Sequence, residues 1–293
     1  MQTSEITILI PTLRATHLAK LIKSDKLEVV YPLGNSEGQR FFPDGEIYVR
    51  LPEWVKDFDG RVVVLHSGMP DPNKGLVELE MILSILSNSK AEVEVFFSYF
   101  PYGMQDHISH QGETNMARDL ISKLVNYYNV SKIYILDAHF ANQLWLLDYP
   151  IVQVSARSLL YSAVRRQHPE VVFMAPDAGS QRRSQLSGTE KSRHNSFDVE
   201  IKWDEEFRLG VIGRTVAVVD DLVETGGTLV KFSEACKECK AKGTIAVITH
   251  GVLVEGIKRV KTLFGDLYLT NSISREDSNV DVSGLITSTI LEG

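Results

Sequence analysis

The sequence predicts an α/β protein of two units, each a mostly parallel sheet flanked by helices. Three observations point there. Short apolar, β-branched runs alternate with stretches of helical spacing along nearly the whole chain, the pattern of parallel sheets with crossover helices. The chain has 293 residues, which favours two domains over one. The run Val216–Val219 stops at two adjacent acids, Asp220 and Asp221, and a turn with two glycines leads into a helical stretch. That is how a buried parallel strand ends beside a ligand crevice.

Taken in order, Ile6–Ile10 reads as a strand, Ala15–Lys23 as a helix and Leu27–Tyr31 as a second strand. Arg40–Leu51 reads as a turn followed by an alternating strand. Arg61–His66 is a buried strand. Leu76–Ser87 places Leu76, Leu79, Ile82, Leu83 and Leu86 on one helical face. Val93–Phe100 is a strand, Asn115–Tyr128 a helix and Lys132–Leu136 a strand running to Asp137-Ala-His139. After Pro150 the alternation restarts, so the units are expected at 1–150 and 151–293. Val152–Val154 is the first strand of the second unit, followed by the helix Ala156–Arg166 and the strand Val171–Ala175. A polar stretch at about 181–203 follows. Then come the Val216 strand with its helix, a strand Ile245–Thr249, a helix Val254–Leu263 and a strand Leu267–Thr270.

Composition narrows the function classes. A hydrophobic content of 43% supports real cores. The net charge of −7 opposes non-specific nucleic-acid binding. No apolar run approaches the roughly 20 residues of a membrane helix, and the N-terminus lacks a basic start and cleavage site. The chain reads as a cytoplasmic protein with no nucleic-acid or membrane partner. Cys236 and Cys239 have C-x-x-C spacing but lie inside a helical pattern with no second ligand pair, so they read as two reduced thiols.

The strongest site signal is the turn after Asp221. Gly226 and Gly227 permit positive φ, so successive N–H groups can converge. The helix beginning near Thr228 adds its free N–H groups and positive dipole end. Together these make a cradle for a phosphate dianion. Asp220 and Asp221 are poor phosphate ligands, but they can accept hydrogen bonds from sugar hydroxyls or help hold a hydrated metal ion. Phosphate and hydroxyls on one short loop suggest a ribose phosphate. The other reading is an ordinary glycine-containing strand-to-helix turn.

Asp220-Asp221-Leu-Val-Glu224-Thr225-Gly226-Gly227-Thr228 resembles the phosphoribosyl-diphosphate motif of type I phosphoribosyltransferases. Their fold is shared by the ribose-phosphate pyrophosphokinases. Four further stretches resemble the latter family, in its order. Phe42-Pro-Asp44-Gly-Glu46 is similar to the segment that contacts the adenine of ATP across a subunit interface, although the same residues would make a Pro-Asp-Gly turn. Tyr99-Phe-Pro-Tyr-Gly-Met104-Gln105-Asp106 resembles a segment that holds ATP phosphates, with Met104 where the family has arginine. Asp137-Ala-His139 resembles its Asp-Leu-His. Pro176-Asp177-Ala-Gly-Ser-Gln-Arg182, with Lys191-Ser-Arg193 beyond it, resembles its sugar-and-metal turn and mobile catalytic loop.

The resemblance implies two phosphoribosyltransferase-like domains. It implies a Mg²⁺-dependent enzyme that transfers the β,γ-diphosphate of ATP to the C1 hydroxyl of a ribose 5-phosphate compound. Lys191, Arg193 and His139 would be catalytic, and His139 and Asp177 would lie at the metal. Asp177, Asp220, Asp221, Glu224, Thr225, Gly226, Gly227 and Thr228 would take the ribose phosphate. Phe42, Asp44, Glu46, Gln105 and Asp106 would take ATP, in a homo-oligomer that shares the ATP site. Three alternatives stand beside this: the same chemistry on a larger ester such as ADP-ribose, a non-catalytic regulatory relative, and a phosphoribosyltransferase.

Overall fold

A computed structural model describes residues 6–184, 186, 190–193, 199–202 and 205–293. The elements in chain order are β1 (Thr7–Pro11), α1 (Thr16–Ala19), β2 (Leu27–Val29), β3 (Arg61–Ser67), α2 (Pro72–Leu86), β4 (Glu92–Tyr99), α3 (Met116–Asn126), β5 (Lys132–Leu136) and β6 (Ile151–Val154). They continue with α4 (Arg157–Gln167), β7 (Val172–Met174), α5 (Ala178–Ser184), β8 (Glu190–Arg193), β9 (Val199–Lys202), α6 (Glu205–Val211) and β10 (Thr215–Val223). The chain closes with α7 (Gly227–Glu238), β11 (Gly243–Gly251), α8 (Val254–Leu263), β12 (Asp266–Leu269) and α9 (Ser283–Glu292).

Two compact units result. The first holds residues 1–155, Ser272–Ser274 and Val282–Gly293, and the second holds Ala156–Asn271 and Arg275–Asp281. The first is built on a six-stranded sheet in the order β2-β1-β3-β4-β5-β6, every pair parallel. Its four inner strands, β1, β3, β4 and β5, are buried on both faces, which is why most of them read as apolar runs. Ile8, Ile10, Val62, Val64, Val95 and Phe97 form one core with the apolar stripes of α2 and α3. α9 also belongs to this unit: the Arg61 guanidinium donates to the Ile290 carbonyl near its C-terminal end, where a cation opposes the dipole.

The second unit has a four-stranded parallel sheet in the order β12-β11-β10-β7. Phe232 of α7, Ile257 and Val260 of α8, and Phe207 of α6 pack on Val216, Val218, Ala246 and Ile248. β8 and β9 make a separate antiparallel ribbon.

Several sequence expectations change. Val152–Val154, read as opening the second unit, pairs with β5 and completes the first sheet. Arg40–Leu51 forms no regular strand; it is held by the isolated bridges Phe41–Ile47 and Leu33–Arg50. The strand read as stopping at Asp220 runs on to Val223. β11 is long enough to pair with Asp220, Leu222 and Val223, and a central strand persists as far as its neighbour supplies hydrogen bonds. The expected helix Ala15–Lys23 is four residues of α-helix behind a 3₁₀ turn, Leu13–Ala15. α5, α6, α9 and the ribbon of β8 and β9 had no counterpart in the sequence reading. Val254–Leu263 and Lys132–Leu136 form with the predicted bounds.

Candidate active site

In the second unit two separate pieces of chain converge at Asp220. Asp177 lies in the turn between β7 and α5, where its Oδ1 accepts from the Ser180 N–H at 2.9 Å and its carbonyl from the Gln181 N–H at 2.8 Å. The Ser180 hydroxyl, itself buried, donates to Asp220 Oδ1 at 2.6 Å. The same oxygen accepts from the Asp221 N–H at 3.1 Å. Burial, then the Asp221 charge and a hydrogen bond to that carboxyl, push Asp220 well above the ordinary carboxylate range. The Ser180 hydroxyl pulls it back and Asp177 adds to the rise. Carboxyl oxygens of this kind can accept from donors such as sugar hydroxyls.

Beyond β10 the chain makes the predicted glycine turn into a helix. Gly226 caps α7 in the left-handed region at φ 73°, and Gly227 is the first helical residue. The first-turn N–H groups have no carbonyl partner within the helix and point out of its N-terminus. Thr225 is exposed, and Glu224, Gly227 and Thr228 are half-buried. The loop rests on α8. A Cβ on Gly256 would lie 1.7 Å from the Glu224 carbonyl oxygen, so only glycine lets α8 come this close. Sequence reading passed over Gly256, although an isolated glycine inside a helical pattern is the signal of such an approach. It also passed over Ser180, which looks like an ordinary turn residue.

Lys191 and Arg193 occupy alternate positions of β8, opposite Ile201 and Val199 of β9. The expected open loop at about 181–203 thus contains part of a helix and a ribbon, and the remainder of it lies outside the described residues.

The first unit carries the other predicted residues. Phe42, Asp44 and Glu46 are all exposed on a tight turn. The Phe42 N–H donates to the Glu46 carbonyl at 2.8 Å, Gly45 takes φ 90°, and Asp44 Oδ1 accepts from the Glu46 N–H at 3.0 Å. Gln105 is exposed; its N–H donates to the Tyr102 carbonyl and its own carbonyl accepts from Ala117. Asp106 is buried and heavily engaged. Its Oδ1 lies 2.6 Å from His107 Nδ1, its Oδ2 accepts from Gln143 Nε2 at 2.8 Å, and its carbonyl accepts from Asn115 and Trp145. Asp106 thereby folds the segment after β4 onto the 3₁₀ turn Leu144–Asp148. Met104, where a cation would suit phosphate, is exposed. His139 is half-buried just past β5, two residues after Asp137, which takes φ 38°.

No set of three or more His, Cys, Asp or Glu side chains among the described residues makes a ready metal cage. Mg²⁺ keeps several waters and takes one or two carboxylates plus substrate phosphates. Asp177 is a half-buried carboxylate beside the paired acids and fits that role.

The second unit is thus a parallel α/β sheet with a Gly-Gly strand-to-helix turn next to paired acids, at the end of the strands where such sheets take ligands. Comparison narrows the class. The fold matches a crystal structure of phosphoribosylpyrophosphate synthetase from Mycobacterium smegmatis with a TM-score of 0.78, over 98% of each chain at 24% identity. Residues 7–127 match the family model described as the N-terminal domain of ribose phosphate pyrophosphokinase. Ribose-phosphate pyrophosphokinase of Thermococcus kodakarensis is 31% identical over 252 residues, 82% of this chain and 87% of that one. The Methanopyrus kandleri enzyme of the same name is 31% identical over 256 residues, 83% and 85%. The chain belongs to the ribose-phosphate pyrophosphokinase family.

Proposed function

We propose that the protein transfers the β,γ-diphosphate of ATP to the C1 hydroxyl of a ribose 5-phosphate group. The C1 oxygen bonds to the β-phosphorus, the bond from that phosphorus to the α,β-bridging oxygen breaks, and AMP leaves with the bridging oxygen. The observation that carries the reading is the coupling of Asp220 and Asp221 to the Gly226–Gly227 cradle on a single strand–helix turn, in a chain of this family. One short segment then offers donors for a 5-phosphate and acceptors for ribose hydroxyls.

In this reading the Thr225–Thr228 backbone binds the 5-phosphate, with Glu224 at its edge. Asp220 and Asp221 orient the ribose. Lys191 and Arg193 stabilise charge on the transferring group, as cations do in phosphoryl transfer. Phe42 stacks on adenine, and Asp44 and Glu46 accept from its amino group, from a neighbouring subunit of a homo-oligomer. Gln105 lies toward the ATP phosphates, and Asp106 shapes its loop. Asp177 would hold Mg²⁺ directly. His139, a nitrogen donor less suited to a hard cation, would act through bound water. Bound Mg²⁺ supplies phosphate charge neutralisation.

The test is product analysis with ATP, Mg²⁺ and either ribose 5-phosphate or ADP-ribose. AMP together with an acceptor heavier by two phosphates supports the reading, and the faster acceptor names the substrate. ATP binding without AMP from either acceptor rejects it in favour of a regulatory relative.

A further inference from the structure

Glu78 is fully buried in α2, far in sequence from every motif above. The Leu13 N–H donates to both of its oxygens, at 3.0 and 3.1 Å. Arg40 Nη2 donates to Oε1 at 2.8 Å, and Arg14 Nη1 lies 3.6 Å from Oε2. Burial pushes the Glu78 carboxyl up, while Leu13, Arg40 and Arg14 pull it back.

Arg40 stands two residues before Phe42, and its planar fork is used on three sides. Besides Glu78, Nε donates to the Tyr48 carbonyl at 3.0 Å and Nη1 to the Pro32 carbonyl at 3.1 Å. The Tyr48 N–H donates back to the Arg40 carbonyl at 2.8 Å. The Tyr48 ring meets the Phe42 ring edge-on, at 5.9 Å and 84°. A continuous line of contact thus runs from the α2 interior through Arg40 and Tyr48 to Phe42. Apolar contacts hold the far arm of the turn, where Ile47 and Leu51 are buried and Val49 packs on the core, while Arg40 holds the near arm. Its pairing is two isolated bridges, and Phe42, Asp44 and Glu46 are exposed. Burying a carboxylate is costly, and an apolar residue would pack α2 as well. A bidentate-capable fork gives what apolar packing does not, a fixed direction.

We propose that Arg40 and Glu78 are positioning residues for nucleotide-base recognition by Phe42, Asp44 and Glu46. This rests on the pyrophosphokinase reading. Neither side chain touches substrate; they set the angle at which the turn presents its aromatic ring and acids. A turn freed from Glu78 would still form locally, but would sample orientations in which Phe42 and the acids do not meet one base together.

The experiment is steady-state kinetics on the full chain carrying Glu78→Gln or Arg40→Lys. Gln keeps the shape and the acceptor for Leu13 N–H. Lys keeps the charge against Glu78 but not the fork to Pro32 and Tyr48. For both variants KM for ATP is expected to rise about 10-fold, with kcat and KM for ribose 5-phosphate within about twofold of the parent. The preference for ATP over GTP is expected to shrink. Equal rises in both KM values, a fall in kcat at unchanged KM for ATP, or parental constants would overturn the assignment. If Glu78→Gln does not fold, Arg40→Lys alone carries the test. If the parent makes no AMP, the pyrophosphokinase reading fails first. Equilibrium ATP binding then decides: the same 10-fold weakening supports the assignment, and unchanged binding rejects it.

Discussion

The Ser180 hydroxyl donates to Oδ1 of Asp220 at 2.6 Å, while the Ser180 N–H donates to Asp177. One residue in the first turn of α5 thereby ties the acid of one motif to the acid of another. Asp220 sits well above the ordinary carboxylate range because of burial first and Asp221 second. Its folded value exceeds its unfolded value, so folding favours the protonated acid. That contribution is present below the ordinary carboxylate range and is lost as pH rises through the raised value. Without Mg²⁺, Asp220→Asn is expected to melt higher than the parent at pH 7–8, by roughly 2–4 °C. The two should melt alike near pH 4, about where an unshifted carboxyl titrates. Calorimetry across pH checks this; a parent that melts higher at pH 8 refutes it.

Gly256 is where α8 meets the cradle. Gly256→Ala brings a methyl group within 1.7 Å of the Glu224 carbonyl oxygen, and the loop must move. Catalytic efficiency with ribose 5-phosphate should fall about 10²-fold, as it does when a reacting group is misplaced by about an ångström. KM for ATP should change little. Initial rates with each substrate varied in turn distinguish this loss from general unfolding, which lowers active-enzyme concentration without shifting either KM.

Lys191→Ala is expected to lower turnover about 10²–10³-fold with modest change in either KM, the pattern for a group that acts in the transition state. Full turnover in that variant removes Lys191 from the mechanism.

Cys236 on α7 and Cys239 just past its end are free and buried, and burial pushes the Cys236 thiol up to about 12. A thiol held protonated and away from solvent is a poor nucleophile. Neither cysteine should react with a disulfide reagent at pH 8 in the native protein, and both should react in denaturant. Rapid native labelling would show that α7 opens.

The sequence was most legible where local and long-range demands agree. Val254–Leu263 and Lys132–Leu136 kept their bounds because periodicity and burial coincide there. The cradle was legible because Gly226 needs a left-handed φ and little besides glycine supplies it cheaply. Non-local partners were not legible. β10 outruns its apolar stretch because β11 pairs beyond it, and Val152–Val154 joins the first sheet because β5 has an open edge. The Arg40–Glu78 pair spans 38 residues, and nothing in either local sequence names the other. Asp106, read for ATP, has its carboxylate engaged by His107 and Gln143, a use that its motif does not announce.

The most direct measurement is the ³¹P spectrum of a reaction containing protein, ATP, Mg²⁺ and ribose 5-phosphate. Diphosphate transfer predicts AMP and a sugar 1-diphosphate appearing in equal amounts, with both phosphorus signals of the new diphosphate coupled to each other. ADP with a sugar monophosphate ester, or AMP with only free diphosphate, or an unchanged ATP spectrum at saturating substrates would contradict the account.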